Sequence, residues 1–319
     1  MNNARGHRLA PVTYIIVIVV AALCTYAYTL RTRSAFACPA SGYIADWYLA
    51  YCSATEYGDF DHGAFWFDLV PGVRANLQSA DALFLGNSRM QYGFSGEPTR
   101  RWFAAAGARH YLMGFSYWEN VNFELPLLKK IGSRARVIIV NVDSFFVPGQ
   151  TEPAKAVMHD PSALSRYRRK AFWQAPHRFI CGKFPRICGN NESFYRSIST
   201  GYYVRQGGDS GAYEVSEDAT IDAVSLDYSV AAAEPLLRAL PAERSCVLFT
   251  IVPTKATKRV QAEALAQRLG VKFISPQLPG LTTFDQSHLN ADSAERWSAA
   301  FFAQAEPEIR RCLADAHTR

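Results

Sequence analysis

The stretch Asp81-Ala-Leu-Phe-Leu-Gly-Asn-Ser-Arg89 is the first in this chain that clearly predicts a strand. The prediction of the fold class starts from this strand. A short apolar run that ends in Gly-Asn-Ser is typical of a buried strand, and the glycine marks a sharp turn. Val137–Val142 and Cys246–Val252 are similar runs, rich in β-branched residues, as strands buried inside a parallel sheet are. Ser88 would follow the carboxyl end of its strand, where open α/β sheets bind ligands.

Predicted strands alternate with predicted helices from Ala82 to the end of the chain. The five strands are Ala82–Leu85, Tyr111–Met113, Val137–Val142, Cys246–Val252 and Val271–Ile274. Three of the predicted helices are Pro98–Ala106, Ala256–Leu269 and Ala294–Phe302. Between the first two of these, Tyr117, Val121, Leu125 and Leu128 fall three or four residues apart and predict one face of another helix. Pro126 should kink or shorten the helix to which Tyr117 and Leu128 belong. The alternation predicts an α/β fold with three α/β/α layers around a five-stranded parallel sheet.

Residues 147–229 interrupt the alternation, and we interpret them as an insertion. They either cap the carboxyl edge of the sheet near Ser88 or decorate the periphery. Residues 161–205 carry nine basic side chains against one acid, Glu192, although the net charge of the whole chain is only +6. This local charge could bind an anionic glycan or lipid headgroups, or form a solvated face. Nucleic acid is not expected as a partner, because no nucleic-acid-binding motif accompanies the charge.

Val12–Leu30 is free of charged residues and long enough to cross the core of a bilayer. We predict a single transmembrane anchor; a cleavable signal peptide ending near Ala35-Phe36-Ala37 is the alternative. Arg5 and Arg8 precede the apolar run, and two more arginines follow it. The flanking charges are nearly balanced, so they do not settle the orientation. The predicted organisation is a tail and anchor (1–33), an aromatic-rich lead-in (34–80) and an α/β domain (81–319).

Six of the seven cysteines lie outside the predicted anchor, and an even number suits disulfides in an oxidising compartment. The simplest hypothesis pairs neighbours along the chain: Cys38 with Cys52, Cys181 with Cys188, and Cys246 with Cys312. Six cysteines allow fifteen pairings, and six reduced cysteines in a cytosolic domain are the alternative. No metal site is expected, because no Cys-x-x-Cys or histidine cluster with ligand spacing occurs. His62 is either a site residue or a surface or packing residue.

Ser88, His288 and Asp285 together suggest nucleophilic catalysis. Phe284-Asp-Gln-Ser-His-Leu289 places a carboxylate three residues before a histidine, in a predicted loop ahead of a helix. A serine nucleophile needs a base to accept its proton, and that base needs a carboxylate to orient it. The alternative is that Ser88 is a turn or cap residue and that Asp285 caps its own loop.

The order of these motifs resembles the SGNH (GDSL-like) hydrolase superfamily, in which Gly-Asp-Ser follows the first strand and Asp-x-x-His lies near the C-terminus. Here Gly86-Asn87-Ser88 replaces the first block. The resemblance implies the SGNH/flavodoxin-like fold, Ser88 as nucleophile, His288 as base and Asp285 as its orienting acid. It also implies an oxyanion hole formed by the Ser88 backbone N–H, Gly114 and an asparagine in a third block. That block reads Asn141-Val-Asp-Ser144, so Asp143 stands where the asparagine belongs, and Asn141 becomes the candidate. Arg89 and Asp143 are auxiliary candidates.

The closest likeness is to the membrane-anchored branch that acylates cell-wall and exported polysaccharides. It implies O-acetyl transfer to, or removal from, an envelope glycan, in the periplasm at a bacterial inner membrane. A glycan or other acyl acceptor and a multi-span membrane acyltransferase would be partners, and the bilayer would be bound through Val12–Leu30; no cofactor is implied. The alternatives are a secreted soluble esterase and an inactive SGNH-like envelope protein that binds a glycan or an assembly partner through the basic insertion.

Overall fold

The computed structural model describes residues 11–94, 96–207 and 211–314. The helices are α1 (Pro11–Arg33), α2 (Asp61–Trp66), α3 (Val73–Ser79), α4 (Ser88–Phe94), α5 (Glu97–Ala105), α6 (Val121–Ile131), α7 (Glu152–His159), α8 (Ala163–Lys183), α9 (Ala223–Ala239), α10 (Arg259–Leu269) and α11 (Ala291–Ala314). The strands are β1 (Trp47–Cys52), β2 (Gly58–Asp59), β3 (Ala82–Asn87), β4 (His110–Phe115), β5 (Val137–Asn141), β6 (Ser193–Ser197), β7 (Tyr203–Gln206), β8 (Tyr213–Glu214), β9 (Val247–Thr250), β10 (Lys272–Phe273) and β11 (Thr282–Thr283). Single 3₁₀ turns lie at Ala35–Ala37, Pro185–Ile187 and Arg244–Cys246.

A five-stranded parallel sheet in the order β10-β9-β5-β3-β4 forms the centre of the molecule, which confirms the predicted fold class. The chain goes from β3 to β4 on one side and then returns past β3 to β5. The carboxyl ends of β3 and β5 therefore form the topological switch point at which flavodoxin-like sheets bind their ligands. Ser88 is the first residue after β3.

Successive side chains of the central strands point to opposite faces, and each face is covered by helices. On β3, Phe84 packs with Phe94 of α4 and Trp297 of α11, whereas Leu83 and Leu85 belong to a separate core on the other face. Helices α6, α9 and α10 contribute to that second core. Because the strands are apolar at nearly every position, both of their faces can be buried under helices. The result is three α/β/α layers.

A second, antiparallel sheet joins the lead-in to the insertion. Its order is β2-β1-β6-β7, with Trp47 opposite Ser197 and Cys52 opposite Ser193. The strand β8 of the insertion pairs separately with β11, which directly precedes the Asp285–His288 loop. The lead-in and the insertion thus share one sheet, and β8 brings the insertion to the loop that carries Asp285 and His288.

The three disulfides follow the simplest pairing: Cys38–Cys52, Cys181–Cys188 and Cys246–Cys312. Helix α1 is long and apolar enough to span a membrane. The predicted tail before it, including Arg5 and Arg8, lies outside the described residues.

One local expectation differs from the structure. Tyr117 is not part of a helix, because α6 begins only at Val121, after Asn120 caps its first turn. Pro126 lies inside α6, which ends at Ile131. His62 is fully buried and joins Asp59 and Glu119, at 2.9 Å each, so it is a packing residue.

Candidate active site

Ser88 is presented by the tight connection between β3 and α4. Gly86 has φ of +148°, a conformation that residues with a side chain rarely adopt. A Cβ atom there would lie 3.1 Å from the Cβ atom of Asn141 on the neighbouring strand. The side-chain carbonyl of Asn87 accepts a hydrogen bond from the Arg89 N–H (3.0 Å), while its amide donates to the Asp143 carbonyl (2.8 Å). The Gly-Asn-Ser sequence therefore supplies a glycine for the turn, an asparagine whose side chain forms hydrogen bonds on both sides of the turn, and an accessible serine.

His288 lies on the loop between β11 and α11. One Asp285 carboxylate oxygen accepts the backbone N–H groups of Ser287 (3.0 Å) and His288 (2.8 Å), which closes a tight turn. The backbone N–H of Phe284 donates to the carbonyl of His288 at 3.0 Å. The insertion braces the loop, because the Gly211 N–H donates to the Phe284 carbonyl at 2.8 Å.

The structure brings Ser88, His288 and Asp285 into one hydrogen-bonded chain. Ser88 Oγ lies 2.7 Å from His288 Nε2, and His288 Nδ1 lies 2.7 Å from Asp285 Oδ2. An ionised carboxylate only accepts hydrogen bonds, so Nδ1 carries the proton and Nε2 is left to accept from the serine hydroxyl. This arrangement has the geometry required of a nucleophile, its base and an orienting acid.

The hydrogen bonds around Asp285 favour its ionised form. Partial burial by itself raises the pKa of Asp285, but the hydrogen bond and charge of His288, with the two backbone N–H groups, outweigh it. The pKa of Asp285 therefore lies below its usual value of 3.8. Asp285 is thus a carboxylate at neutral pH and can hold the imidazole in the required tautomer.

Ser88 and His288 open into a cavity of about 380 Å³, within the range of about 300–1,000 Å³ that is typical of small-ligand sites. Much of its wall is aromatic, and it draws residues from the lead-in and the insertion as well as from the parallel-sheet domain. The lining residues are Tyr51, Asn87, Ser88, Arg89, Tyr92, Ser116, Tyr117, Trp118, Glu192, Phe194, Phe284, Asp285, Ser287 and His288. The insertion therefore caps the site, as one of the two interpretations of residues 147–229 held.

Backbone strain concentrates around this cavity. Six non-glycine residues in the described part of the chain have positive φ, and four of them are Tyr117, Trp118, Ser144 and Gln286. Each lies in a segment that contributes to the site: the turn after β4, the segment after β5 or the Asp285–His288 loop. A side chain held in this conformation costs about 1–3 kcal/mol and often marks a functional site.

Two of the three expected oxyanion donors do not lie on the cavity wall. Gly114 is buried inside β4, where a Cβ atom would lie 2.6 Å from the Asn87 carbonyl oxygen. Its glycine is therefore explained by close packing against the β3–α4 connection. Asn141 is also fully buried at the end of β5, and its carbonyl oxygen Oδ1 accepts the Val252 N–H at 3.0 Å. The Asn141 side chain ties two strands together rather than facing the cavity.

Arg89, the residue after Ser88, is a cation on the wall of the same cavity. Its guanidinium group forms an ion pair with Asp143, donates from Nε to Ser287 Oγ at 2.9 Å, and lies 4.3 Å from the Trp118 ring centroid. A guanidinium has five N–H donors in a fixed plane, so these contacts leave donors over. Asp143 therefore holds a cation next to Ser88.

Tyr92 adds a second polar group that the sequence alone does not reveal. Its ring centroid lies 4.8 Å from that of His288. Its hydroxyl is buried without a hydrogen-bond partner among the described residues. Burial raises the pKa of Tyr92 well above 10, so the hydroxyl stays protonated and can donate.

Sequence reasoning missed the aromatic wall, including Tyr51, Trp118 and Phe194. The high aromatic content of the lead-in is a signal for Tyr51 alone, and the sequence does not show that β1 meets β6 across more than a hundred residues of chain. Within the described residues, no group of three or more His, Cys, Asp or Glu side chains is arranged to hold a metal ion. Comparison of the chain with known proteins finds no matching family model, no matching curated protein and no matching solved structure.

Proposed function

We propose that this protein is a membrane-anchored enzyme of the SGNH type that performs serine-dependent acyl-ester chemistry on a glycan outside the cytoplasm. The observation that carries the proposal is the chain of two 2.7 Å contacts that links Ser88, His288 and Asp285 at the carboxyl edge of the sheet. The order of these residues along the chain, with a Gly-x-Ser block first and Asp-x-x-His last, supports the assignment to this superfamily.

The proposed reaction has two halves with balanced proton transfers. Ser88 Oγ attacks the acyl carbonyl carbon while its proton passes to His288 Nε2. The tetrahedral intermediate then collapses, the bond to the leaving alcohol breaks, and the alcohol oxygen takes that proton. An acyl-Ser88 ester remains. A sugar hydroxyl or water next gives its proton to His288, attacks the ester carbonyl and releases Ser88, whose oxygen regains the proton.

The developing oxyanion would be stabilised by the Ser88 backbone N–H together with Arg89. Donors of this kind contribute roughly 2.7–4 kcal/mol each when they are aimed at the transition state. Arg89 is held by Asp143, Ser287 and Trp118, so it would need little reorganisation during the reaction.

Helix α1 and the disulfides support an extracytoplasmic location, because disulfides persist in oxidising compartments. We place the anchor in a bacterial inner membrane and the main domain in the periplasm. The aromatic wall suits a sugar ring, and acetyl is the favoured acyl group. Since acyl-CoA is absent there, transfer would need a multi-span membrane acyltransferase to deliver acyl groups. No cofactor enters this chemistry.

The test is hydrolysis of p-nitrophenyl acetate by the full chain in detergent, with its disulfides intact. We expect turnover that is abolished by Ser88→Ala and by His288→Ala. His159→Ala alters an exposed histidine outside the cavity and should keep the wild-type rate.

A non-enzymatic glycan-binding protein is the second candidate, favoured by the absence of Gly114 and Asn141 from the cavity wall. A folded wild-type protein that neither hydrolyses the ester nor transfers acetyl to oligosaccharides would support it. In that case Tyr51→Ala and Trp118→Ala should weaken binding of oligosaccharides.

A further inference from the structure

Four large apolar side chains lie exposed on α8, at its C-cap and in the 3₁₀ turn that follows. Between 50% and 74% of their surface is accessible, in the order Phe172, Phe179, Phe184 and Ile187 from most to least. Arg168, Phe172, Phe179 and Lys183 follow each other at spacings of four and seven residues, so they share one stripe of the helix. We call Phe172, Phe179, Phe184 and Ile187, with the basic side chains among them, the basic–aromatic face.

The basic side chains of this face are Arg168, Arg169, Lys183 and Arg186, and all four are exposed. None of them forms an ion pair with any residue that the structure describes. Other basic residues of the insertion are neutralised internally: Arg166 pairs with Asp160, and Arg205 pairs with Glu192. The face therefore combines unneutralised positive charge with exposed aromatic rings.

The basic–aromatic face lies next to the end of α1. Phe36, three residues after α1 ends at Arg33, packs edge-on against Trp173 of α8 with ring centroids 5.2 Å apart. Phe36 also forms a small core with Cys181 and Cys188, against which Leu30 packs. Because Trp173 adjoins Phe172, the face begins within about one helix diameter, ~10 Å, of Phe36, which follows the end of α1. The interfacial layer on each side of the bilayer core is about 5–8 Å thick.

We propose that the basic–aromatic face lies on the surface of the bilayer that α1 crosses. The apolar rings would enter the boundary between headgroups and acyl chains, and the Arg and Lys side chains would contact the phosphates of anionic lipids. An anionic glycan would satisfy the charges, but it offers no apolar phase for four exposed hydrophobic side chains. The inference rests on α1 spanning the membrane and not on the proposed catalytic activity. It gives the insertion a second role, which is to fix the orientation of the cavity relative to the bilayer.

The experiment places an environment-sensitive NBD fluorophore on Phe172→Cys in the full chain, with Cys24→Ser to remove the free thiol. The protein is reconstituted in vesicles of phosphatidylcholine and phosphatidylglycerol at a ratio of roughly two to one. Val224→Cys on α9 is the matched control, because Val224 is an apolar residue 80% exposed on another helix. We expect blue-shifted emission at position 172 and quenching by doxyl-labelled lipid at least about twofold stronger than at position 224.

Charge reversal by Arg168→Glu with Arg169→Glu, and vesicles of phosphatidylcholine alone, should each reduce that quenching. Equal emission and equal quenching at positions 172 and 224 would overturn the proposal. Quenching that is unchanged in neutral vesicles would overturn the role of anionic lipid. A response of the label to added anionic polysaccharide, without quenching by lipid, would assign the face to a glycan instead.

Discussion

His288 Nε2 lies 2.7 Å from Ser88 Oγ, although 200 residues separate them in the chain. Ser88 is placed by the parallel sheet, whereas His288 is placed by a loop that the insertion braces through β8. Their meeting therefore depends on the core fold and on the added layer together.

Asp285→Asn should leave the fold intact and reduce turnover by about 10²- to 10⁴-fold, because an amide can stabilise the wrong imidazole tautomer. Ester hydrolysis over a range of substrate concentrations checks this, with most of the loss expected in kcat. Asp292→Asn at the start of α11 is a control for loss of one negative charge. Wild-type turnover in Asp285→Asn would remove Asp285 from the mechanism.

Arg89→Met should lower kcat/KM by about 10²- to 10³-fold if the guanidinium group stabilises the oxyanion. Arg89→Lys should be intermediate, since an ammonium keeps the charge but loses the planar fork of donors. The decisive control is Arg89→Met combined with Asp143→Asn, which removes the carboxylate that the single variant leaves unpaired. Recovery of activity in the double variant would show that Arg89 only neutralises Asp143.

The stability of Glu124→Gln relative to the wild type should increase as pH rises. Glu124 is fully buried beneath the nucleophile turn, where one carboxyl oxygen accepts the Gly86 N–H at 3.2 Å. Burial raises the pKa of Glu124 well above 4.5, so the folded state holds a neutral acid while the unfolded chain ionises. The stability contributed by that proton is fully present below about pH 4.5 and is lost as pH rises towards the folded pKa.

Urea unfolding of wild type and Glu124→Gln at acidic and neutral pH checks this prediction. The free energies of unfolding should agree most closely below pH 4.5. At neutral pH the variant should be more stable than the wild type, because the wild type has lost part of the stability contributed by the bound proton. A variant that loses stability more steeply than wild type as pH rises would contradict a neutral Glu124.

Removing the Cys246–Cys312 disulfide by Cys246→Ser with Cys312→Ser should lower the free energy of unfolding by about 4 kcal/mol. The bond closes a loop with a sequence separation of 66 residues, and a cross-link of that length mainly reduces the entropy of the unfolded chain. Chemical denaturation measures the change. Cys24→Ser, in α1, should have no effect under the same conditions; a loss below about 1 kcal/mol in the double variant would refute the estimate.

The parallel sheet could be predicted because its strands are encoded locally. Strands such as β3 and β5 are apolar at nearly every position, Gly86 marks the turn at the end of β3, and Gly270 ends α10 ahead of β10. The antiparallel sheet could not be predicted in the same way. Its central pair joins Trp47–Cys52 to Ser193–Ser197, and neither segment carries a pattern that names its partner.

The site shows the same division. The spacing and order of Ser88, Asp285 and His288 allow a nucleophile, a base and an orienting acid to be predicted from the sequence. The positions of Gly114 and Asn141 along the chain predict oxyanion donors, but both residues are buried inside the sheet. That burial depends on packing, which the sequence does not show. The contact of Arg89 with Trp118, and the Ser116–Trp118 turn, arise from positive φ angles that no residue type there predicts.

The most direct test of the central claim is the mass of the full chain after incubation with a fluorophosphonate, followed by peptide mapping. An activated serine forms one covalent adduct, and we expect it on Ser88, lost in His288→Ala and unaffected in Ser116→Ala. A folded protein that gains no adduct, or that gains it on a serine other than Ser88, would contradict the assignment of Ser88 as a nucleophile.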